Sequence, residues 1–249
     1  MKRIFYIFCV IILLTVAKAA AETPSGEWIL KKVDNNFGSD DKISVGEMII
    51  YGRRGGSRTI KSKSWIHGMD KSFTEYLAPA REKGTKMLKL EDQLWIYSPS
   101  TDRTIKISGH MMRQSVMGSD LSYEDMMEDP ELHKLYEAKV SAEETFLERP
   151  CWVLELTSRG GDIAYNSRKI WVDKERFVSL KEDRYAKSGK LLKTIEVKKV
   201  TRIEDRWVPS HVIFKDVLKS GKGTEFVLES IEFNADIPEY IFTKASLRK

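Results

Sequence analysis

The chain has 249 residues, 41% of them hydrophobic, a formal charge of +5 and two cysteines. Three basic residues, Lys2, Arg3 and Lys18, fall within the first 21 positions, where there is no acid, so the remainder carries only about +2. That near-balance removes the electrostatic case for a nucleic-acid partner, and the single cysteine beyond that segment, Cys151, excludes an internal disulfide.

Residues 1–21 read as a cleavable signal peptide. Lys2 and Arg3 supply the positive start, and Ile4 to Val16 an apolar run too short to span a bilayer comfortably. Small residues then offer cleavage after Ala17-Lys18-Ala19 or Ala19-Ala20-Ala21; an uncleaved anchor is the alternative. Residues 22–249 are enough for one domain whose stability comes from its core.

A helix comes first, with Thr23 as N-cap, Pro24 at the first helical position and Glu27 near the positive dipole end. Ile29, Leu30, Val33 and Phe37 share one face, and Gly38 is the stop. From Lys42 onward the pattern is of strands. Arg54-Gly55-Gly56-Ser57 separates Met48–Tyr51 from Thr59–Ile66, and Glu91-Asp92 separates Met87–Leu90 from Leu94–Tyr97. Further turns follow at Arg159-Gly160-Gly161, Lys187-Ser188-Gly189, Glu204-Asp205-Arg206 and Lys219-Ser220-Gly221. The spacing predicts about eleven strands in one antiparallel sheet with few helices, since no helix-length βαβ crossover is present. In Thr224–Phe233 apolar residues occupy both faces, Phe226 and Leu228 on one and Val227, Ile231 and Phe233 on the other, which predicts a curved sheet covered on both sides. The apolar ending Ile237–Phe242 is expected to plug an edge.

The strand series is interrupted once. Residues 111–127 hold five of the nine methionines: Met111, Met112, Met117, Met126 and Met127. Methionine is flexible and polarizable, so such a cluster can repack around an irregular apolar ligand as well as fill a core. Gly118 can end a first short helix in the left-handed conformation. Ser122 with Asp125 forms a capping box for a second, and Asp129-Pro130-Glu131 starts another turn. The polar residues here are thus explained by architecture.

Catalysis finds little support. His67, His110, His133 and His211 are scattered without the HExxH spacing of a zinc site, and no GxSxG elbow occurs. Ser119 and Asp120 belong to the turn rather than to a triad with His110. Cys151, in the run Cys151–Leu156, reads as a buried structural thiol. No metal or cofactor is expected.

Three stretches carry a family resemblance. Trp95-Ile96-Tyr97-Ser98-Pro99, after a Glu-Asp turn, is similar to the LWxYxP strand of the LolA-like periplasmic lipoprotein carriers. Met117-Gly118-Ser119-Asp120-Leu121-Ser122-Tyr123-Glu124-Asp125 resembles the MGSDxSYxD signature of their outer-membrane lipoprotein-sorting branch. Pro79–Gly84, upstream of Leu88, fits the same branch, as does the ending from Phe242-Thr243 through Leu247. The resemblance implies a half-open antiparallel β-barrel, with an N-terminal helix and a short helical lid, that holds acyl chains in its concave interior. It also implies a periplasmic location. In the family's carriers a strand arginine latches the lid through backbone carbonyls. No strand arginine here reproduces that motif; Arg81 falls in a turn, leaving Arg58 and Arg103.

On this reading the protein carries acylated lipoproteins or envelope lipids toward the outer membrane, loaded by an inner-membrane transporter and unloaded by an outer-membrane acceptor. It would act as a monomer and not as an enzyme. Expected lid contacts are Met111, Met112, Val116, Met117, Leu121, Met126 and Met127; expected wall contacts are Trp65, Phe73, Leu88, Trp95, Tyr97, Trp152 and Trp171. The alternative is a docking module of a lipid-exporting transporter, using Arg53, Arg54, Lys61 and Lys63, with an interior filled by its own side chains.

Overall fold

Short turns between apolar runs return each strand along its predecessor, so neighbours in sequence become neighbours in space. A computed structural model describes residues 23–37, 41–52, 55–128, 131–161 and 163–249. The proposed signal peptide, the Gly38 stop, Arg53, Arg54, Asp129 and Pro130 lie outside the described residues.

Helix α1 (Gly26–Phe37) precedes six strands: β1 (Lys42–Tyr51), β2 (Ser57–His67), β3 (Lys71–Ala78), β4 (Lys86–Leu90), β5 (Gln93–Ser98) and β6 (Arg103–Ile107). An insert follows, with 3-10 turns at Gly109–Arg113 and Val116–Gly118 and short helices α2 (Tyr123–Met127) and α3 (Leu132–Leu135). The chain then runs through β7 (Tyr136–Phe146), β8 (Arg149–Ser158), β9 (Ser167–Asp173), β10 (Ser179–Tyr185), β11 (Leu191–Ile203), β12 (Arg206–Asp216) and β13 (Thr224–Phe233). Two 3-10 turns, Glu239–Phe242 and Lys244–Arg248, end it.

Among the described residues, the thirteen strands form one antiparallel sheet in the order β6-β5-β4-β3-β2-β1-β13-β12-β11-β10-β9-β8-β7, open at both edges. The open sheet is the half-barrel that the resemblance implies. The turn signals predict about eleven strands; a short strand such as β6, with three of five residues exposed, carries too little alternation to be read. The path has a consequence for the insert. From the centre the chain moves outward to β6, crosses to the opposite edge at β7, and returns until β13 pairs with β1.

Alternation sorts the side chains into two faces. On the inner face of the first half, Met48, Ile60, Tyr76, Met87, Leu94 and Ile107 pack with Val116 and Tyr123 of the insert. On the inner face of the second half, Tyr136, Trp152, Leu154, Leu156, Ile170 and Val172 pack against Ile29 and Leu30 of α1. The outer face of the first half carries Phe73, Leu88 and Trp95 beneath Ala235, Ile237, Phe242 and Leu247 of the tail. The tail thus covers a face, where its apolar pattern predicts an edge plug.

Helix α1 starts later than its capping signals predict. Ser25, not Thr23, accepts from the backbone N–H of Trp28, at 3.3 Å. The cause is docking against the β7 edge: a Cβ on Gly26 would stand 2.5 Å from the Ala138 carbonyl oxygen. Glu27 sits one residue on, where its carboxylate accepts from the Ala138 N–H at 3.0 Å. That contact covers part of an otherwise open edge.

The fully buried Leu247 should hold the tail to the outer face. Leu247→Ala is expected to cost about 2–5 kcal/mol in urea unfolding. A loss below about 1 kcal/mol would mean that the tail is not packed as described.

Candidate ligand-binding site

The insert covers a cavity of about 320 Å³ on the inner face. Val116, Leu121 and Met126 line it from the insert, and Met48, Tyr76, Val212, Phe226 and Leu228 from the sheet. Hydroxyl-bearing Ser44, Ser62, Ser64 and Thr74 complete one side. Burial pushes the Tyr76 hydroxyl well above its ordinary value, and it donates to the Met87 sulfur at 3.2 Å.

All seven residues expected of the lid meet at one place. Met111, Met112, Val116, Met117, Leu121, Met126 and Met127 pack on the cluster built by Met48, Ile60, Tyr76 and Phe226. The expected wall residues do not line the cavity. Trp65, Phe73, Leu88, Trp95 and Tyr97 belong to the outer-face cluster beneath the tail. In β5 it is Leu94 and Ile96, the neighbours of Trp95 and Tyr97, that face the insert. Trp152 packs in the α1 cluster. Trp171 alternates with Ile170 and Val172, so it points away from α1, and its indole N–H donates to Glu144 at 2.7 Å. Strand period fixes membership of a face, while which face turns inward depends on where the insert crosses.

Two sets of polar contacts hold the insert down. From the first half of the sheet, Arg58 on β2 donates to the Met117 carbonyl oxygen and pairs with Glu82 at 3.0 Å. Met117 and Gly118 both have positive φ, 50° and 76°, which turns the chain sharply at the latch. A methionine in that region is strained, and Arg58 donates to the carbonyl of that strained residue. Of the arginines considered from sequence, Arg58 has the geometry of a latch.

From the second half the contacts are more numerous. Asp120 accepts from the Asp216 N–H at 3.0 Å and from the Thr224 hydroxyl at 2.9 Å. Lys193 donates to the Asp120 carbonyl at 2.7 Å, and Lys219 to the Ser119 carbonyl at 2.7 Å and the Ser115 hydroxyl at 2.6 Å. The capping box forms as expected: Ser122 accepts from the Asp125 N–H at 3.2 Å, and the Asp125 carboxylate accepts from the Ser122 N–H at 2.7 Å. The other Asp125 oxygen accepts from the Tyr165 hydroxyl and lies 3.4 Å from Arg184.

Asp125 therefore belongs to a buried ion network as well as to a cap. Arg168, without side-chain exposure, pairs with Glu128 and with Glu182, the latter at 2.5 Å. Arg184 lies 2.9 Å from Glu182 and 3.2 Å from Glu128. Burial works to raise the Glu182 carboxyl, but the two guanidiniums overcome it and bring the value down to about 2. Burial likewise opposes ionisation of Asp125, yet the Ser122 and Tyr165 hydroxyls and the Lys193 ammonium keep it below the usual range. The Arg168 guanidinium is pulled down to about 10 by its desolvation. This network lines a second chamber of about 410 Å³, with Pro209 common to both. The sequence signal for it is a charged residue, Arg168, on the same strand face as Ile170 and Val172.

Comparisons with known proteins agree with this architecture. A family model described as an uncharacterized protein family, DUF1329, matches residues 68–249. Among solved structures, a DUF1329 family protein from Desulfovibrio piger is 25% identical with a TM-score of 0.77, covering 89% of this chain and 97% of its own. A domain named for outer membrane lipoprotein sorting, from Vibrio parahaemolyticus, is 26% identical with a TM-score of 0.76, covering 90% and 98%. A LolA superfamily protein from Nitrosomonas europaea is 24% identical with a TM-score of 0.74, covering 90% and 100%, and shares the fold. No curated protein matches the chain by sequence.

The buried network makes a pH-dependent prediction. With folded-state values below the ordinary ones, Asp125 and Glu182 contribute stability that is present above about pH 4.5 and lost as pH falls toward about 2. Glu182→Gln leaves two buried guanidiniums undercompensated and is expected to cost about 3–5 kcal/mol at pH 7. In urea unfolding its deficit against the parent should narrow at pH 3; a pH-independent deficit would mean that Glu182 is not ionised in the fold.

Proposed function

Because the chain belongs to the DUF1329 family and folds as a LolA-like half-barrel, we propose that it is a periplasmic carrier of acyl chains from lipoproteins or envelope lipids. The observation that carries this reading is the methionine-rich insert lying over an inner-face cavity and gripped at Met117 by a strand arginine. A docking module would fill its interior with its own side chains, so the cavity weighs against that alternative. The Vibrio relative's name points toward lipoprotein sorting in the outer membrane.

In this role residues 1–21 direct export and residues 22–249 form the working domain. Burying an acyl chain supplies the binding energy, about 0.8 kcal/mol per methylene. A chain of about sixteen carbons then yields on the order of 10 kcal/mol, part of which reopens the cavity and displaces the lid. Met111, Met112, Val116, Met117, Leu121, Met126 and Met127 serve as the adaptable cover. Binding and release make or break no covalent bond, so direction comes from affinity: an inner-membrane transporter loads the carrier and an outer-membrane acceptor of higher affinity empties it. The carrier acts as a monomer.

Native mass spectrometry of protein purified from periplasm without detergent, followed by organic extraction, tests the proposal. A reproducible bound mass that extracts as lipid is expected. A mass that stays that of the bare chain, even after incubation with liposomes and lipopeptide, would sink it.

Two substitutions test the lid. Met117→Asp should abolish lipid retention in a protein that still unfolds cooperatively; retention in the folded variant would place the cover elsewhere. Arg58→Leu, at a side chain 38% exposed, should cost under about 1 kcal/mol of global stability. Amide exchange across residues 111–118 should nevertheless accelerate about fivefold or more. Unchanged exchange there would show that Arg58 does not hold the lid.

A further inference from the structure

Sheet register divides the cavity wall into successive rungs along the strands. The first rung is Met48, Phe226 and Val212, directly paired across β1, β13 and β12, with the buried Ile60 beside Met48 on β2. Next come Tyr76, Ser62, Gly46 and Leu228. The third rung is Thr74, Ser64 and Ser44, again directly opposite one another, with Ile231 of β13 beyond Ser44. At roughly 3.3 Å per residue, the third rung stands about 13 Å from the first. The wall therefore passes from wholly apolar beneath the insert to hydroxylated on β1, β2 and β3 at the other end.

These hydroxyls are not consumed by the fold. Ser64 and Thr74 share one hydrogen bond of 2.8 Å, which leaves each with further capacity. Among the described residues, Ser44 and Ser62 make no side-chain hydrogen bond, and both are half-buried on the cavity wall. Among the described residues, no lysine, arginine or histidine lines this cavity, and Glu47 is the carboxylic residue that does. Lys42, one rung further along β1, is buried and already engaged in a contact of its own. The arginines of the neighbouring chamber are matched by Glu128, Glu182 and Asp125. An anionic head would enter a partly dry groove without a counter-ion, which is costly, while a neutral ester or hydroxyl finds donors and acceptors at once.

We propose that Ser44, Ser62, Ser64 and Thr74 form a polar-end subsite that selects amphiphiles with an uncharged, oxygen-rich head of the acylglycerol class. This assignment rests on the carrier reading. The acyl chain lies under Met48, Phe226 and the insert, and the glycerol or ester oxygens reach the hydroxyl rung.

The test presents the purified protein with an equimolar mixture of monooleoylglycerol and oleate, which share one acyl chain, and weighs the bound species by native mass spectrometry. Monooleoylglycerol should exceed oleate about tenfold or more in the bound fraction. In the triple variant Ser44→Ala, Ser62→Ala, Ser64→Ala the ratio should fall to within about threefold of unity while acyl occupancy persists. Ser62→Ala alone removes no protein hydrogen bond and should lower the ratio about threefold, which covers failure of the triple variant to fold. Equal binding, an excess of oleate, or a ratio unchanged by the substitutions overturns the subsite and leaves the carrier standing. Binding of neither ligand overturns both.

Discussion

Connectivity governs this structure. The sixth strand ends at one edge of the sheet and the seventh begins at the other, so the segment between them must cross the width of the sheet. A crossing segment can lie flat and be buried, or stand off and enclose space. Here it does both. Residues near Ser119–Asp125 are fastened by Asp216, Thr224, Lys193 and Lys219, whereas residues 111–117 rest mainly on apolar side chains, with Arg58 at the Met117 carbonyl and Lys219 at the Ser115 hydroxyl. The polar contacts are densest at the second end of the crossing, which makes it the anchor, with Gly118 between the two parts.

The anchor is expensive. Carboxylates and guanidiniums taken from water repay their desolvation only when each finds partners, and the Arg168 Nε is left without one. Hydrophobic residues of similar volume would pack there at less cost. What the charges supply is position: directional pairs bring Glu128, Glu182 and Asp125 to Arg168 and Arg184, and so fix where α2 sits on the sheet. Apolar contacts alone would permit α2 to slide.

Much of this was legible in the sequence, and the failures share a cause. The change from helical to alternating period, the turn dipeptides, the interrupting methionines and the Ser122–Asp125 box are local signals, and each matches a local feature of the structure. Trp65, Phe73, Leu88, Trp95 and Tyr97, expected on the cavity wall, sit under the tail, because alternation says which residues share a face and never which face is inner. Arg58 had no motif to mark it, since its partner is a backbone carbonyl 59 residues away. The helix starts later than its capping signals predict because Gly26 answers to the β7 edge rather than to the cap. Arg168 and Glu182, fourteen residues apart on neighbouring strands, matter through each other.

The pairing of β1 with β13 carries a temporal implication. The middle of the sheet, and the wall made by Met48, Phe226 and Val212, joins the first strand to the last. Such distant pairing is slow, because a large loop must close before any contact rewards it. A chain delivered from its N-terminus has β1 to β6 available early, but these make only one bank of the groove. The second bank arrives with the closing residues of the strand series. The groove is therefore absent from every partial chain and is complete only in the finished molecule.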